Sequence, residues 1–233
     1  MFVSCNISSL EIYVPSTERP WNQTLVNHTF RRLGYGVNME GINAALAETP
    51  EYLIDGIIQD AVNLAPTSAP EWANYNYSYY INNGLDFQEE TENNQNEWRL
   101  QAINDLLNDG LRGRMTLFWH NHFVTELEAY NCSNYLYKYY HLLQTHCLGN
   151  FKDFVREVGL NEAMLIYLNG FDNTSSEPNE NYARELFELF TLGVDNGYTQ
   201  EDIVATSRAL TGYNHWDDFC DSIYFDSETF DSG

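Results

Sequence analysis

The run Pro178–Gly193, PNENYARELFELFTLG, constrains the fold more than any other stretch. At about 100° per residue, Tyr182, Ala183, Leu186, Phe187, Leu189 and Phe190 share one side of a helical wheel. Glu180, Asn181, Arg184, Glu185, Glu188 and Thr191 share the other. No residue crosses between the sets, so the run predicts a helix with one face against a core. Pro178 suits a first turn, where its missing N–H costs nothing, and Gly193 suits the left-handed residue just past a helix end.

The polar side carries a ladder, because Glu180 and Arg184 are four apart and so are Arg184 and Glu188. On a solvated face each such pair is worth a few tenths of a kcal/mol. Facing inward, the same residues form a carboxylate-rich wall with Glu185 and Glu188 placed as bases or ligands and Arg184 between them.

Helical signals recur along the chain. Trp21 to Leu33 places Val26, Phe30 and Leu33 at helical spacing, with His28 on the same helix and Arg31 and Arg32 in the last turn, where positive charge complements the helix dipole. Asn38 and Thr49-Pro50 open two further helices, 39–48 and 52–62, as a helical hairpin. Residues 65–70 read as a linker. The Tyr- and Asn-rich run from Trp72 to Asn83 reads as irregular or weakly helical, and Phe87 to Asn96 as an acidic loop. Helices follow over 97–108, 111–125, 135–148, 151–158 and 162–168, several joined by Gly–Asn stop–start junctions. Gly170 to Glu177 is a polar loop. Thr199 and Asp202 open a last helix, 200–211. No fixed-period repeat and no strand pair is evident. The predicted class is all-α, a multi-helix bundle-like domain over 21–213, preceded by an extended arm, 1–20, and followed by an acidic tail, 214–233.

Charge narrows the partners. The 233 residues carry 34 acidic against 11 basic side chains, a formal net charge of −23. Such a surface repels phosphate backbones and anionic membranes, which argues against nucleic acid as a partner. No run approaches the ~18 apolar residues of a membrane span. Met1-Phe-Val-Ser-Cys5 faintly resembles a lipoprotein cleavage site but lacks the charged start and apolar region of a signal peptide. Cys5, Cys132, Cys147 and Cys220 form no CxxC pair and read as mostly buried thiols.

The stretch 111–125 is apolar around most of its circumference and holds His120, Asn121 and His122. Residues two apart on a helix diverge by about 200°, so the two histidines cannot share one ion on a regular helix. One histidine per site is the expectation, either as a ligand or as a buried ring bonded to a carbonyl or carboxylate.

Three motifs coincide: HTFRRLGYG over 28–36, RMTLFWHNHFV over 114–124, and NENYARELFELFTLG over 179–193, continued by YTQED and SRALTG. Together they resemble the bacterial domain-of-unknown-function 1800 family, nearly along the whole chain. The resemblance implies a predominantly helical, often exported protein, frequently encoded beside a sulfatase-like partner family, with no established activity. It marks His28, Arg31, Arg32, Trp119, His120, Asn121, His122, Asn179, Glu180, Asn181, Arg184, Glu185 and Glu188 as motif positions. Phe230 stands where family members often carry a histidine, and members continue further, so the chain reads as a fragment.

Two classes of function follow. One is a metal-dependent hydrolase or oxidoreductase, with His120, His122 and Glu180 as ligands to Fe, Mn or Zn and with Glu185, Glu188 and Arg184 in catalysis. The other is a non-catalytic secreted or envelope protein that binds a partner or a polysaccharide, with the histidines and the Glu-Arg-Glu ladder as a packing network.

Overall fold

A computed structural model describes residues 12–215 and 218–232. The Met1–Cys5 run and most of the expected N-terminal arm lie outside the described residues. The chain divides into two compact units, Met1–Asn63 and Leu64–Gly233.

The first unit contains α1 (Gln23–Leu33), α2 (Met39–Leu46) and α3 (Pro50–Asn63). Asn22 and Asn38 cap α1 and α2 by accepting from Leu25 N and Gly41 N, which satisfies backbone donors that no helical carbonyl reaches. Val26, Ile42 and Ala45 form the core, walled by Trp21, Phe30, Val37 and Leu53. Trp21 Nε1 donates to the Ala45 carbonyl at 3.0 Å, so the ring buries its bulk without stranding its N–H.

The second unit is also helical: α4 (Tyr77–Asn82), α5 (Phe87–Asn108), α6 (Gly110–His122), α7 (Leu127–Tyr130), α8 (Ser133–His146), α9 (Phe151–Gly159), α10 (Glu162–Tyr167), α11 (Asn181–Glu185) and α12 (Gln200–Ala209). One short antiparallel pair, β1 (Tyr213–His215) and β2 (Tyr224–Phe225), completes it. The class is all-α, as the periodicity predicts. At the centre lies α8, buried on two sides. Tyr135, Tyr139 and Leu143 enter a core with Phe123, Phe154, Val158 and Met164. Tyr137 and Tyr140 enter a second cluster with Trp72 and Trp98.

Four features depart from the sequence expectation. The stretch 87–96 is not a loop but the first part of α5, capped by Asp86, whose Oδ1 accepts from Glu89 N at 2.9 Å. Its inward residues are Thr91, Asn94 and Gln95, which leave no apolar period to detect. Asn94 donates to Tyr80 Oη at 3.0 Å and Gln95 to Asn131 Oδ1 at 3.3 Å. Tyr77–Asn82 is a regular short helix, capped by Asn76.

The third departure lies in 178–193. The α-helix starts at Asn181 rather than Pro178 and passes into a π-helical segment, Leu186–Thr191. There the ladder slips by one residue, with Leu192 N donating to the Phe187 carbonyl at 2.9 Å. The slip turns Leu189 outward to 58% exposure, although a regular wheel places it inside.

The fourth is covalent. Cys132 and Cys220 are not free thiols but a disulfide across 88 residues. It fastens the acidic C-terminal stretch to the start of α8, where Asn134 Nδ2 donates to the Cys220 carbonyl at 2.7 Å and the Tyr135 hydroxyl to the Asp221 carbonyl. Cys147 remains a buried thiol, and burial pushes its pKa up.

Closing so long a loop stabilises the fold by about 3–5 kcal/mol in the chain-entropy account. Cys132→Ser with Cys220→Ser is therefore expected to lower the unfolding free energy by that order in a urea titration. Thiol labelling of the native wild type should leave Cys132 and Cys220 unmodified; labelling of both would overturn the assignment.

Candidate functional site

His120 and His122 end α6 and leave it on different sides. His122 Nε2 lies 3.0 Å from the Phe190 carbonyl in the π-helical segment. A carbonyl can only accept, so Nε2 carries the proton there. Phe190 O belongs to the last helical turn, whose carbonyls have no helical donor, and His122 supplies one. His120 points into an apolar cavity instead, where burial lowers its pKa and keeps the ring neutral. Asn121, between them, is exposed.

The ladder is formed as the spacing predicts. Arg184 donates to Glu180 at 2.9 Å and to Glu188 at 3.3 Å, and also to Gln200 Oε1 at 3.0 Å. Its side chain and that of Glu180 are each 38% exposed, so the ladder runs along a partly solvated face. The two carboxylates hold the guanidinium in its charged form, with Glu188 the larger influence. Glu185 lies on the same helix without an ionic partner among the described residues.

Asn179 and Asn181 shape the chain ahead of this helix. Asn179 Oδ1 accepts from Asn181 N at 2.9 Å, and Asn181 Nδ2 donates to the Leu168 carbonyl at 3.1 Å. His28, Arg31 and Arg32 sit on α1 of the first unit and are exposed.

Among the described residues, no three His, Cys, Asp or Glu side chains converge on a point that could hold a metal ion. His122 is bonded to a carbonyl, His120 faces an apolar cavity, and Glu180 is committed to Arg184 and Gln200. His122 and Glu180 are thus each engaged elsewhere, while His120 lines the apolar cavity.

A cleft of about 870 Å³ lies immediately before α11, lined by Phe171, Asp172, Thr174, Glu177, Pro178, Asn179 and Glu180. Its frame is local. Asn169 takes a left-handed conformation, φ 58°, and turns the chain into the 3₁₀ turn Gly170–Asp172. Thr174 and Glu177 then bridge across a tight turn. Beneath sits buried Asn173, whose Nδ2 donates to the Ser207 carbonyl and whose Oδ1 accepts from Asn179 N, both at 2.8 Å. One amide thereby joins the cleft loop to α12 and to the approach to α11. The sequence marks this stretch only as a polar loop, because the bond that anchors it to α12, Asn173 to Ser207, spans 34 positions.

The family described as a protein of unknown function, DUF1800, matches residues 28–233. The chain belongs to that family. No curated protein and no solved structure matches it. Family membership covers all three quoted motifs; of their positions in the second unit, His122 bonds Phe190, Glu180, Arg184 and Glu188 form the ladder, and Asn179 and Glu180 line the cleft.

If His122 acts as a cap, His122→Phe keeps the ring and removes the donor. The orphaned carbonyl should lower stability by about 1–3 kcal/mol in chemical denaturation. An unchanged denaturation midpoint would show that the contact contributes nothing.

Proposed function

We propose that the chain is a binding protein whose cleft at residues 171–180 takes a polyhydroxylated ligand of the carbohydrate class. The chemistry of that cleft carries the reading. Asp172 and Glu177 are exposed carboxylates without ion-pair partners among the described residues. Ionised carboxylates accept paired hydroxyl donors through charge-assisted hydrogen bonds. The Asn179 side chain adds an amide donor, and Phe171 adds an apolar residue to the lining. Acidic walls on a chain of net charge −23 disfavour phosphorylated or sulfated ligands.

The Cys132–Cys220 disulfide supports an oxidising location, since such bonds persist chiefly in exported proteins. That agrees with the export expected from the family resemblance. A metal-dependent reading, with one histidine of α6 and one or two glutamates of the 178–193 helix as ligands, is the weaker one, because His122 is bonded to a carbonyl and Glu180 to Arg184 and Gln200. No catalytic step is assigned to Glu185, Glu188 or Arg184.

The test is a glycan array followed by calorimetry with any enriched neutral oligosaccharide. Asp172→Asn and Glu177→Gln should each weaken binding by about tenfold, as loss of one charge-assisted contact would. An array without an enriched glycan, an affinity untouched by both substitutions, or tighter binding of spermidine than of any sugar would overturn the proposal.

A further inference from the structure

A separate cavity of about 210 Å³ lies among α5, α6 and α8. Trp98, Leu106, Leu117 and Leu136 form apolar walls, and Arg99 and His120 supply its basic groups. Apolar cavities of ~150 Å³ hold benzene, so this one has room for a ring and a short substituent.

The two basic groups make the cavity unusual. Arg99 is exposed, and its Nη1 donates to Asn96 Oδ1 at 2.8 Å. No carboxylate pairs with it among the described residues, although the chain holds 34 acidic side chains against 11 basic ones. The ring nitrogens of His120 have no hydrogen-bond partner among the described residues, while His122, two positions on, is bonded to Phe190. An apolar chamber bordered by an arginine that no carboxylate pairs with among the described residues, and by an imidazole without a hydrogen-bond partner, matches one ligand chemistry: an apolar body ending in a single anionic acceptor.

We propose that this cavity binds a small monocarboxylic acid with an aromatic or branched aliphatic body, its carboxylate on Arg99 and a His120 ring N–H and its body against Leu106, Leu117 and Leu136. The site shares no lining residue with the cleft at 171–180, and its ligand is an apolar anion rather than a neutral polyhydroxylated one. The two proposals therefore succeed or fail independently.

Phenylacetate and isovalerate, titrated into the intact chain by calorimetry, test it. Saturable binding is expected in the micromolar to millimolar range normal for ligands of this size. The neutral amide phenylacetamide should bind about tenfold more weakly, and Arg99→Gln should weaken phenylacetate by about the same factor. Leu117→Trp fills the chamber and should abolish binding. Trp98 fluorescence should respond to phenylacetate in the wild type, and the response should be lost in Trp98→Phe. No saturable binding of either acid overturns the proposal. So does an affinity equal for phenylacetate and its amide, or one unaltered by Arg99→Gln, which changes an exposed side chain and so reports even if Leu117→Trp unfolds.

Discussion

A buried positive charge organises the larger unit. The Arg112 side chain is almost wholly enclosed, 4% exposed, and its guanidinium pairs with Asp109. It also donates to the Leu64 carbonyl at 2.8 Å and to the Ala65 carbonyl. Beside it, buried Asp105 accepts from Thr67 Oγ1 at 2.7 Å, Gln101 at 2.6 Å and Gln144 at 3.2 Å. An enclosed charge costs several kcal/mol unless its directions are filled by partners of good geometry. Arg112 of α6 finds its partners at Asp109 and in the 64–65 segment, with its Nε left unpartnered, and Asp105 of α5 finds its own on α5, on α8 and at Thr67, so the two charges together constrain the register of these elements. A sliding helix would strand a guanidinium or a carboxylate, a far larger penalty than the loss of a few apolar contacts.

The register has consequences at both ends of α8. Gln144, near its C-terminus, bonds to Thr67 and Asp105. Cys132, just before its N-terminus, is covalently joined to Cys220. Between these anchors α8 buries tyrosines on two sides, with Tyr139 and Tyr135 in one cluster and Tyr137 and Tyr140 in another. In the first cluster tyrosine suits this burial because each hydroxyl finds a partner. Tyr139 donates to the Phe123 carbonyl and Tyr135 to the Asp221 carbonyl. The cavity at His120 lies among the same three helices, α5, α6 and α8.

What could be read from the sequence was local. Asn38, Asn150, Asn161 and Thr199 all cap helices by accepting from backbone N–H groups two or three residues on, so the residue and its consequence share one short window. The Glu180–Arg184–Glu188 ladder is equally local. The start of α5 was hidden because Thr91, Asn94 and Gln95 face inward through hydrogen bonds instead of apolar contact. The disulfide was hidden because its two cysteines lie 88 residues apart with no spacing signature. The frame of the cleft was hidden for a similar reason: Asn173 acts through Ser207 and Asn179, and nothing in the sequence near Asn173 indicates the first of these.

The two histidines of α6 show how an angular argument can outperform a motif. Two His separated by one residue invite a chelate, yet a regular helix sends them to different sides. Here α6 stays regular through His122. One ring donates to a carbonyl that the ending helix cannot satisfy; the other enters an apolar chamber and stays neutral. The π-helical slip joins these facts to the ladder. Within it Phe190 stays buried and its carbonyl accepts from His122, while Glu188, in the same segment, and Arg184, just upstream, remain on the partly solvated side. The polar and apolar faces of 178–193 are thus kept apart, as the wheel requires, except where the slip turns Leu189 out.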